Sequence, residues 1–295
     1  MCRGNPYNYK GEIPAELLGR GKIYSFHALN LGRELYDPGR DLYVFYVVLR
    51  NVVGSLKLVA EVFSSFNVNI LHVAMDPVTH DVVECHVHFY VDFTDSKAPP
   101  EDVAKALEPL VVKVAYGKPF MEYPDFIIDN YHFPLKTYGE RAIIILASFM
   151  QEIFDEFKKI AGSGAEAMIW RLGYMGGYRG IKNITEFFEK MAKRKLSNYE
   201  IAKVFLTALL RSNGWGVFEV SAWNEVGGEF TFKVWESFES VHIKSKRETP
   251  QCFFIGGLLC GVVKGLVGKE TTSKETKCIS IGDEYCEFHI KYRQY

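Results

Sequence analysis

The sequence predicts an α+β protein with two domains. Its 295 residues are enough for about two domains of ordinary size. Between Leu42 and Tyr116, β-branched and aromatic runs alternate with two helical patterns in the order βαββαβ. Beyond residue 135 helices come first and are followed by antiparallel hairpins around one glycine-rich helix. The two halves therefore predict two different α+β arrangements.

The first domain is predicted to be a ferredoxin-like sheet with two helices on one face. We place an extension at residues 1–40, the domain at 41–117 and a proline-containing linker at 118–135. The predicted strands are Leu42–Arg50, Val68–Met75, Val82–Phe93 and Val111–Tyr116, and the predicted helices are Ser55–Phe66 and Glu101–Glu108.

The second domain, residues 136–295, is predicted to hold a curled antiparallel sheet with the glycine-rich helix laid across it. Gly176-Gly177 predicts a turn between two helices, because glycine commonly interrupts a helix. The predicted helices are Gly139–Ile160, Ala165–Tyr174, Asn183–Ala192, Tyr199–Arg211 and Phe253–Gly268, and the predicted strands are Gly216–Trp223, Glu229–Glu236, Lys274–Ser280 and Glu284–Tyr292.

Composition excludes several classes of function. Lys and Arg total 35 against 36 Asp and Glu, so no overall field attracts nucleic acid or anionic lipid. The longest apolar runs are too short or too glycine-rich to span a membrane, and the N-terminus lacks a signal peptide's apolar core. We therefore expect a cytoplasmic protein with reduced cysteines. The sequence has no nucleotide-binding or hydrolase motif, which favours a binding protein over an enzyme.

The first candidate site is the turn between the first strand and the first helix. Asn51 and Gly54 flank this turn, where helix N–H groups can face a carboxylate, and Asn69-Ile70 on the next strand would lie alongside. A purely structural glycine explains the turn equally well. These residues, within the βαββαβ order of 41–117, resemble the ACT domain family. The resemblance implies binding of an amino acid or similar ligand at Asn51, Gly54, Asn69 and Ile70, and a homodimer.

The second candidate site is a group of cysteines near the C-terminus. Cys278 and Cys286 flank a hairpin turn, Glu275 lies three residues before Cys278, and Cys252 precedes the glycine-rich helix. Three is an odd spacing, so a strand irregularity is required to bring Glu275 to the same face. Three thiolates and a carboxylate would make a closed tetrahedral zinc site. A set of buried reduced cysteines is an equally good reading of the residues alone.

The stretch Cys252–Phe288 resembles the 4-vinyl-reductase-like domain, which also serves as the sensor module of phenol- and toluene-responsive transcription activators. The resemblance covers residues 136–291 and rests on the glycines of the helix and on the motifs KETKC and GDEYCEF. It implies a structural Zn²⁺ held by Cys252, Glu275, Cys278 and Cys286. The segment Trp235–Glu239, followed by His242, resembles the part that supplies those sensors' aromatic-ligand pocket.

We expect a hydrophobic pocket between the hairpin at 216–236 and the helices of the second domain. Its predicted lining is Trp215, Phe218, Phe230, Phe232, Trp235 and His242. Each of these aromatic residues alone is equally typical of a plain core, and His242 of an ordinary core or surface histidine.

The favoured function is a cytoplasmic regulator that binds a small hydrophobic or aromatic ligand. Two alternatives remain open at this point. One is a reductase or accessory enzyme acting on a vinyl-bearing, tetrapyrrole-like substrate. The other is a scaffold, because the fold resembles subunits of vesicle-tethering complexes.

Overall fold

The computed structural model describes residue 31 and residues 34–75, 81–118, 126–129 and 131–293. Most of the predicted extension and part of the predicted linker lie outside these ranges. The chain divides into two compact units, one within Ala28–Pro134 and the other within Leu135–Tyr295. Both are mixtures of helices and antiparallel sheets, so the predicted α+β class is confirmed.

The N-terminal unit is built on a four-stranded antiparallel sheet. Its elements are β1 (Glu34–Tyr36), β2 (Leu42–Arg50), α1 (Ser55–Ser65), β3 (Asn69–Met75), β4 (Glu84–Asp92), α2 (Pro100–Leu107), β5 (Lys113–Gly117) and β6 (Phe126–Ile128). The sheet order is β3-β4-β2-β5, and β1 pairs with β6 in a separate two-stranded sheet. The two helices pack on one face of the sheet, where Phe45, Val59, Phe63 and Leu107 are completely buried.

The C-terminal unit places helices before strands. Its elements are β7 (Lys136–Thr137), β8 (Glu140–Arg141), α3 (Ala147–Ala161), α4 (Ser163–Ala192), α5 (Asn198–Val204), β9 (Val217–Asn224), β10 (Glu229–Trp235), α6 (Phe253–Val267), β11 (Thr271–Lys277) and β12 (Cys286–Tyr292). Helix α5 continues into a π-helical segment, Phe205–Leu210, and short 3₁₀ turns occur at Val241–Ile243 and Ile279–Ile281.

The sheet of this unit is open, so the prediction of a curled sheet was wrong. Its order is β11-β12-β10-β9, and all neighbouring strands are antiparallel. Four strands of seven or eight residues are too few to close, and β11 and β9 stay at opposite edges. Helix α6 covers one face, where Leu259, Val262 and the sheet residue Phe288 form part of the core.

The helix predicted at Gly139–Ile160 begins later than expected. Tyr138 and Gly139 have positive φ angles of 51° and 79°, which suit the turn of a two-residue hairpin. This turn joins β7 to β8, and α3 starts only at Ala147.

Helix α4 is one continuous helix of 30 residues, so the predicted turn at Gly176-Gly177 was wrong. Its glycines allow close approach to α6. A Cβ atom on Gly173 would lie 2.0 Å from the Phe254 carbonyl oxygen, and one on Gly177 would lie 2.2 Å from that of Leu258. On α6, a Cβ on Gly257 would lie 1.9 Å from the Trp170 carbonyl oxygen. The backbones therefore touch directly, which only glycine permits.

Among the described residues, no helix combines the length and the apolar character needed to cross a membrane.

Candidate metal centre and adjoining cavity

Four side chains converge at the N-terminal end of α6. Cys252 is the N-cap residue of α6, Glu275 lies in β11, Cys278 precedes the 3₁₀ turn after β11, and Cys286 begins β12. Their ligand atoms all lie within 4.8 Å of one another. The three cysteines are buried. The cluster could hold a metal ion.

A strand irregularity brings Glu275 into the cluster. Glu275 pairs with Phe288, and Lys277 pairs with Glu287, so the register of β11 on β12 shifts between them. In a regular strand, residues three apart would point to opposite faces. The shift overcomes this odd spacing and places Glu275 and Cys278 on the same side, as the sequence required.

The three sulfur atoms are arranged as in a zinc thiolate site. The Cys252 and Cys278 sulfurs are 3.7 Å apart, those of Cys252 and Cys286 are 3.5 Å apart, and those of Cys278 and Cys286 are 3.8 Å apart. A tetrahedral zinc with Zn–S bonds of about 2.3 Å places its sulfurs about 3.8 Å apart. All three distances far exceed the roughly 2.05 Å of a disulfide bond. The observed triangle therefore fits one face of a metal tetrahedron.

Glu275 supplies the fourth donor. Its Oε2 atom accepts a hydrogen bond from the Cys252 backbone N–H at 3.1 Å, which orients the carboxyl group. Its Oε1 atom is buried and has no hydrogen-bond partner among the described residues. Burial, together with the Cys278 thiolate, raises the pKa of Glu275 to about 9. A bound cation would satisfy the orphaned oxygen and remove the cost of ionising it.

The cysteines differ in their protonation because one of them collects hydrogen bonds. Hydrogen bonds from the thiols of Cys252 and Cys286 lower the pKa of Cys278 far below its ordinary value. Burial raises the pKa of Cys252 well above it. The group thus behaves as one thiolate solvated by two thiols, and a divalent cation would displace the two remaining protons.

Three buried serines surround the sulfurs, and the sequence prediction missed them. The hydroxyl of Ser280 lies 3.0 Å from the Cys278 sulfur, that of Ser240 lies 3.4 Å from the Cys286 sulfur, and that of Ser237 lies 3.8 Å from the Cys252 sulfur. All three are completely buried. Such outer groups orient ligands and tune a metal site.

Glu239 is a further functional residue that the sequence prediction had assigned to the pocket. It is buried, and its carboxyl group accepts hydrogen bonds from the N–H groups of Phe254 at 2.8 Å and Ile255 at 2.9 Å. It therefore caps α6 from 15 residues away along the chain. Burial raises its pKa to about 8, although the two N–H groups act in the opposite direction.

A cavity of about 280 Å³ lies beside α6 within the C-terminal unit. Its wall is mostly apolar, and its polar groups belong to the β7–β8 hairpin and to two asparagines. The π-helical segment forms one side, in a geometry that often occurs at functional sites. The lining residues are Thr137, Tyr138, Glu140, Arg141, Gly176, Gly180, Asn183, Ile184, Phe205, Leu209, Leu210, Asn213, Trp215, Phe254 and Leu258.

Of the six residues predicted to line the pocket, Trp215 alone lines this cavity. Phe218, Phe230 and Phe232 are packed in the core beneath α6. Their placement follows from the alternation of side chains along β10, which turns residues 230, 232 and 234 toward α6. The same alternation turns Trp235 to the other face, where its ring lies 5.1 Å from that of Tyr285. His242 is exposed on a 3₁₀ turn.

The four residues predicted for an amino-acid site lie at opposite ends of the N-terminal sheet. Asn51 follows the end of β2 that pairs with Glu84, whereas Asn69 pairs with Asp92 at the other end of β4. Eight residues of strand separate these ends, a span of about 26 Å. The expectation that Asn69 and Ile70 lie alongside the Asn51–Gly54 turn was therefore wrong, because α1 returns the chain to the end of the sheet where β2 began.

The turn itself has the predicted form. Gly54 is the N-cap residue of α1 with a φ of 92°, and the Asn51 side chain donates a hydrogen bond to the Val82 carbonyl oxygen at 2.8 Å. Asn69 and Ile70 instead line a polar groove of about 590 Å³ together with Arg40 and Asp92.

The C-terminal unit thus combines a closed set of four metal ligands with a mostly apolar cavity beside the same helix. Residues 231–292, which include all four ligands, match the vinyl-4-reductase domain family. The C-terminal part of the chain therefore contains a domain of this family, and the resemblance predicted there is confirmed. The match does not extend to the N-terminal unit, whose resemblance to ACT domains stays a prediction.

Several known proteins are similar to this chain. An uncharacterized protein of Methanocaldococcus jannaschii is 28% identical over 168 residues, which cover 55% of this chain and 83% of that protein. The phenol-responsive sensory domain of the transcription activator PoxR, solved with phenol, matches at 18% identity and a TM-score of 0.45, over 59% of this chain and 83% of that one. A vinyl-4-reductase family protein from M. jannaschii matches at 20% identity and a TM-score of 0.36, over 53% of this chain and 87% of that one.

Proposed function

We propose that the protein is a small-molecule-binding sensor whose ligand cavity is supported by a structural zinc ion. The observation that carries this proposal is that the metal cluster and the cavity share α6. Cys252 caps the helix, and Phe254 and Leu258, two and six residues further along, line the cavity. An ion bound to Cys252 would therefore hold in place the helix that forms the cavity wall.

Zinc is the metal that suits the donor set best. Thiolates are soft ligands, and three of them with one carboxylate match a four-coordinate tetrahedral zinc. All four positions come from the protein, so no position stays open for a substrate or a reactive water. We therefore assign the ion a structural role. Metal thiolates of this kind persist in a reducing compartment, and a cytoplasmic location is part of the proposal.

The cavity favours a small, flat, apolar ligand. Phe205, Leu209, Trp215 and Phe254 supply aromatic and aliphatic walls, and the polar groups stand apart from these walls. A tetrapyrrole is far larger than a cavity of about 280 Å³. The size of the cavity and the closed metal site together disfavour the alternative of a reductase acting on such a substrate.

We further propose that the N-terminal unit is an ACT-like, ferredoxin-like regulatory module. The observed element order and the sheet order β3-β4-β2-β5 support this assignment. Because Asn51 and Gly54 lie at the opposite end of the sheet from Asn69 and Ile70, one copy cannot bring all four to one ligand. An amino-acid site using all four residues would have to form between two copies of the chain.

Calorimetry on zinc-loaded protein tests the sensor proposal. We expect saturable binding of at least one member of a panel of phenols, indoles and aromatic acids. Trp215→Ala should weaken that binding by about 1–3 kcal/mol, because it removes an aromatic wall of the cavity. Trp235→Phe is the matched control, since Trp235 lies on the other face of β10 and should leave the affinity unchanged. Absence of binding by the wild type to every compound would rule out the aromatic sensor.

A further inference from the structure

Helix α4 carries two pairs of glycines that differ in what surrounds them. Gly173 and Gly177 are pressed against the α6 backbone. Gly176 and Gly180 line the cavity, and a Cβ atom on either would meet nothing within 4 Å. The first pair is explained by helix packing, whereas packing does not explain the second.

Glycine at an open position weakens a helix. It loses more conformational freedom than alanine on folding, so alanine would stabilise the middle of α4 if nothing else mattered. Neither residue has a positive φ angle, so the backbone does not require glycine at these positions. What glycine provides at 176 and 180 is the space that a side chain would occupy.

We propose that Gly176 and Gly180 set the size limit of the cavity and make it a site for planar two-ring aromatic compounds with one polar substituent. This inference rests on the proposed sensor function. The polar substituent would lie near the side-chain amides of Asn183 and Asn213, and the rings would lie on the glycine surface of α4 opposite the apolar wall.

The volume of the cavity supports this ligand class. A cavity of about 150 Å³ is enough to bind benzene. The cavity here measures about 280 Å³, so it exceeds the needs of a single ring and suits two fused rings. A methyl group takes about the space of a water molecule, roughly 30 Å³. Alanine at either position should therefore exclude part of the second ring and still admit a single ring.

The test compares 2-naphthol with phenol by calorimetry on the zinc-loaded full-length protein. The variants are Gly176→Ala and Gly180→Ala. Gly164→Ala is the matched control, because Gly164 is in the same helix, also has open space around it and does not line the cavity. Thermal unfolding of each variant shows whether α4 is intact.

We expect wild type and Gly164→Ala to bind 2-naphthol more tightly than phenol. Each cavity variant should lose at least tenfold in 2-naphthol affinity, change less than threefold for phenol, and unfold at the same or a higher temperature than wild type. A merely structural role of the glycines would not separate the two ligands. If wild type binds 2-naphthol and both cavity variants bind it within twofold of wild type, the size-limit inference is wrong while the sensor function stands. If wild type binds neither compound, both are overturned.

Discussion

At the scale of single residues, Cys278 is the centre of the metal cluster. Its sulfur lies within 3.8 Å of both other cysteine sulfurs and 3.0 Å from the Ser280 hydroxyl. It carries the negative charge of the group, because hydrogen bonds from the two neighbouring thiols lower its pKa. The loss of this one sulfur should therefore disable the whole site.

We predict that Cys278→Ser lowers both zinc content and stability. Serine is a poor zinc ligand, and the remaining donors would leave the ion one bond short. The stability loss should amount to several kcal/mol, since structural zinc contributes about 10–16 kcal/mol in peptides that fold around it. Elemental analysis and thermal unfolding measure the two effects. Cys260→Ser is the control, because Cys260 is equally buried in α6 but lies outside the cluster; an equal zinc loss in both variants would contradict the assignment.

We predict that Glu239 makes stability depend on pH. In the folded protein its pKa is raised from 4.5 to about 8 by burial, so the folded state keeps a proton that the unfolded state has released. Its contribution to the free energy of unfolding is complete below pH 4.5 and is lost as pH rises toward 8. Glu239→Gln cannot titrate. The unfolding free energy of wild type minus that of the variant should fall between pH 5 and pH 8, and a constant difference would contradict the shift.

The ligand residues could be predicted from sequence, whereas the groups around them could not. Cysteines and a glutamate on adjoining strands are visible as a pattern, and alternation even required the irregularity found beside Glu275. Glu239 caps a helix 15 residues further along the chain, and no local pattern reports such a contact. Trp235 was misplaced because its face depends on the register of β10, which the sequence specified only approximately.

At the scale of helices and strands, the α4–α6 pair forms the frame of the C-terminal unit. Their backbones approach so closely that a Cβ atom on Gly261 would lie 2.1 Å from the Tyr174 carbonyl oxygen. Glycine was interpreted as a turn in α4 because its local preference is to interrupt helices. Tertiary packing outweighed that preference, and this could not be known until the partner helix was in place.

We predict that Gly257→Ala destabilises the helix pair. The added Cβ would lie 1.9 Å from the Trp170 carbonyl oxygen, and backbone on both sides leaves no flexible group to move away. The cost should be at least about 1–3 kcal/mol, the usual range for overpacking. Denaturant unfolding measures it, with Gly164→Ala as the control that should lose no stability. Equal stability of the two variants would show that the close approach is incorrect.

At the scale of the whole molecule, the N-terminal sheet suggests self-association. β3 is an edge strand, and Val73 and Met75 on it are 37% and 44% exposed. Apolar edge strands commonly pair with a second copy. We predict a homodimer by light scattering, with a mass twice the 33.7 kDa of the chain, and a monomer for the variant Val73→Lys/Met75→Lys. A wild-type protein that stays monomeric across a wide concentration range would exclude this.

The central claim is that Cys252, Glu275, Cys278 and Cys286 hold one zinc ion that fixes the start of α6. X-ray absorption at the zinc edge, on protein purified without chelators, tests it most directly. We expect about one zinc per chain with three sulfur neighbours near 2.3 Å and one oxygen neighbour. Zinc well below one per chain, or a first shell without three sulfurs, would contradict the account.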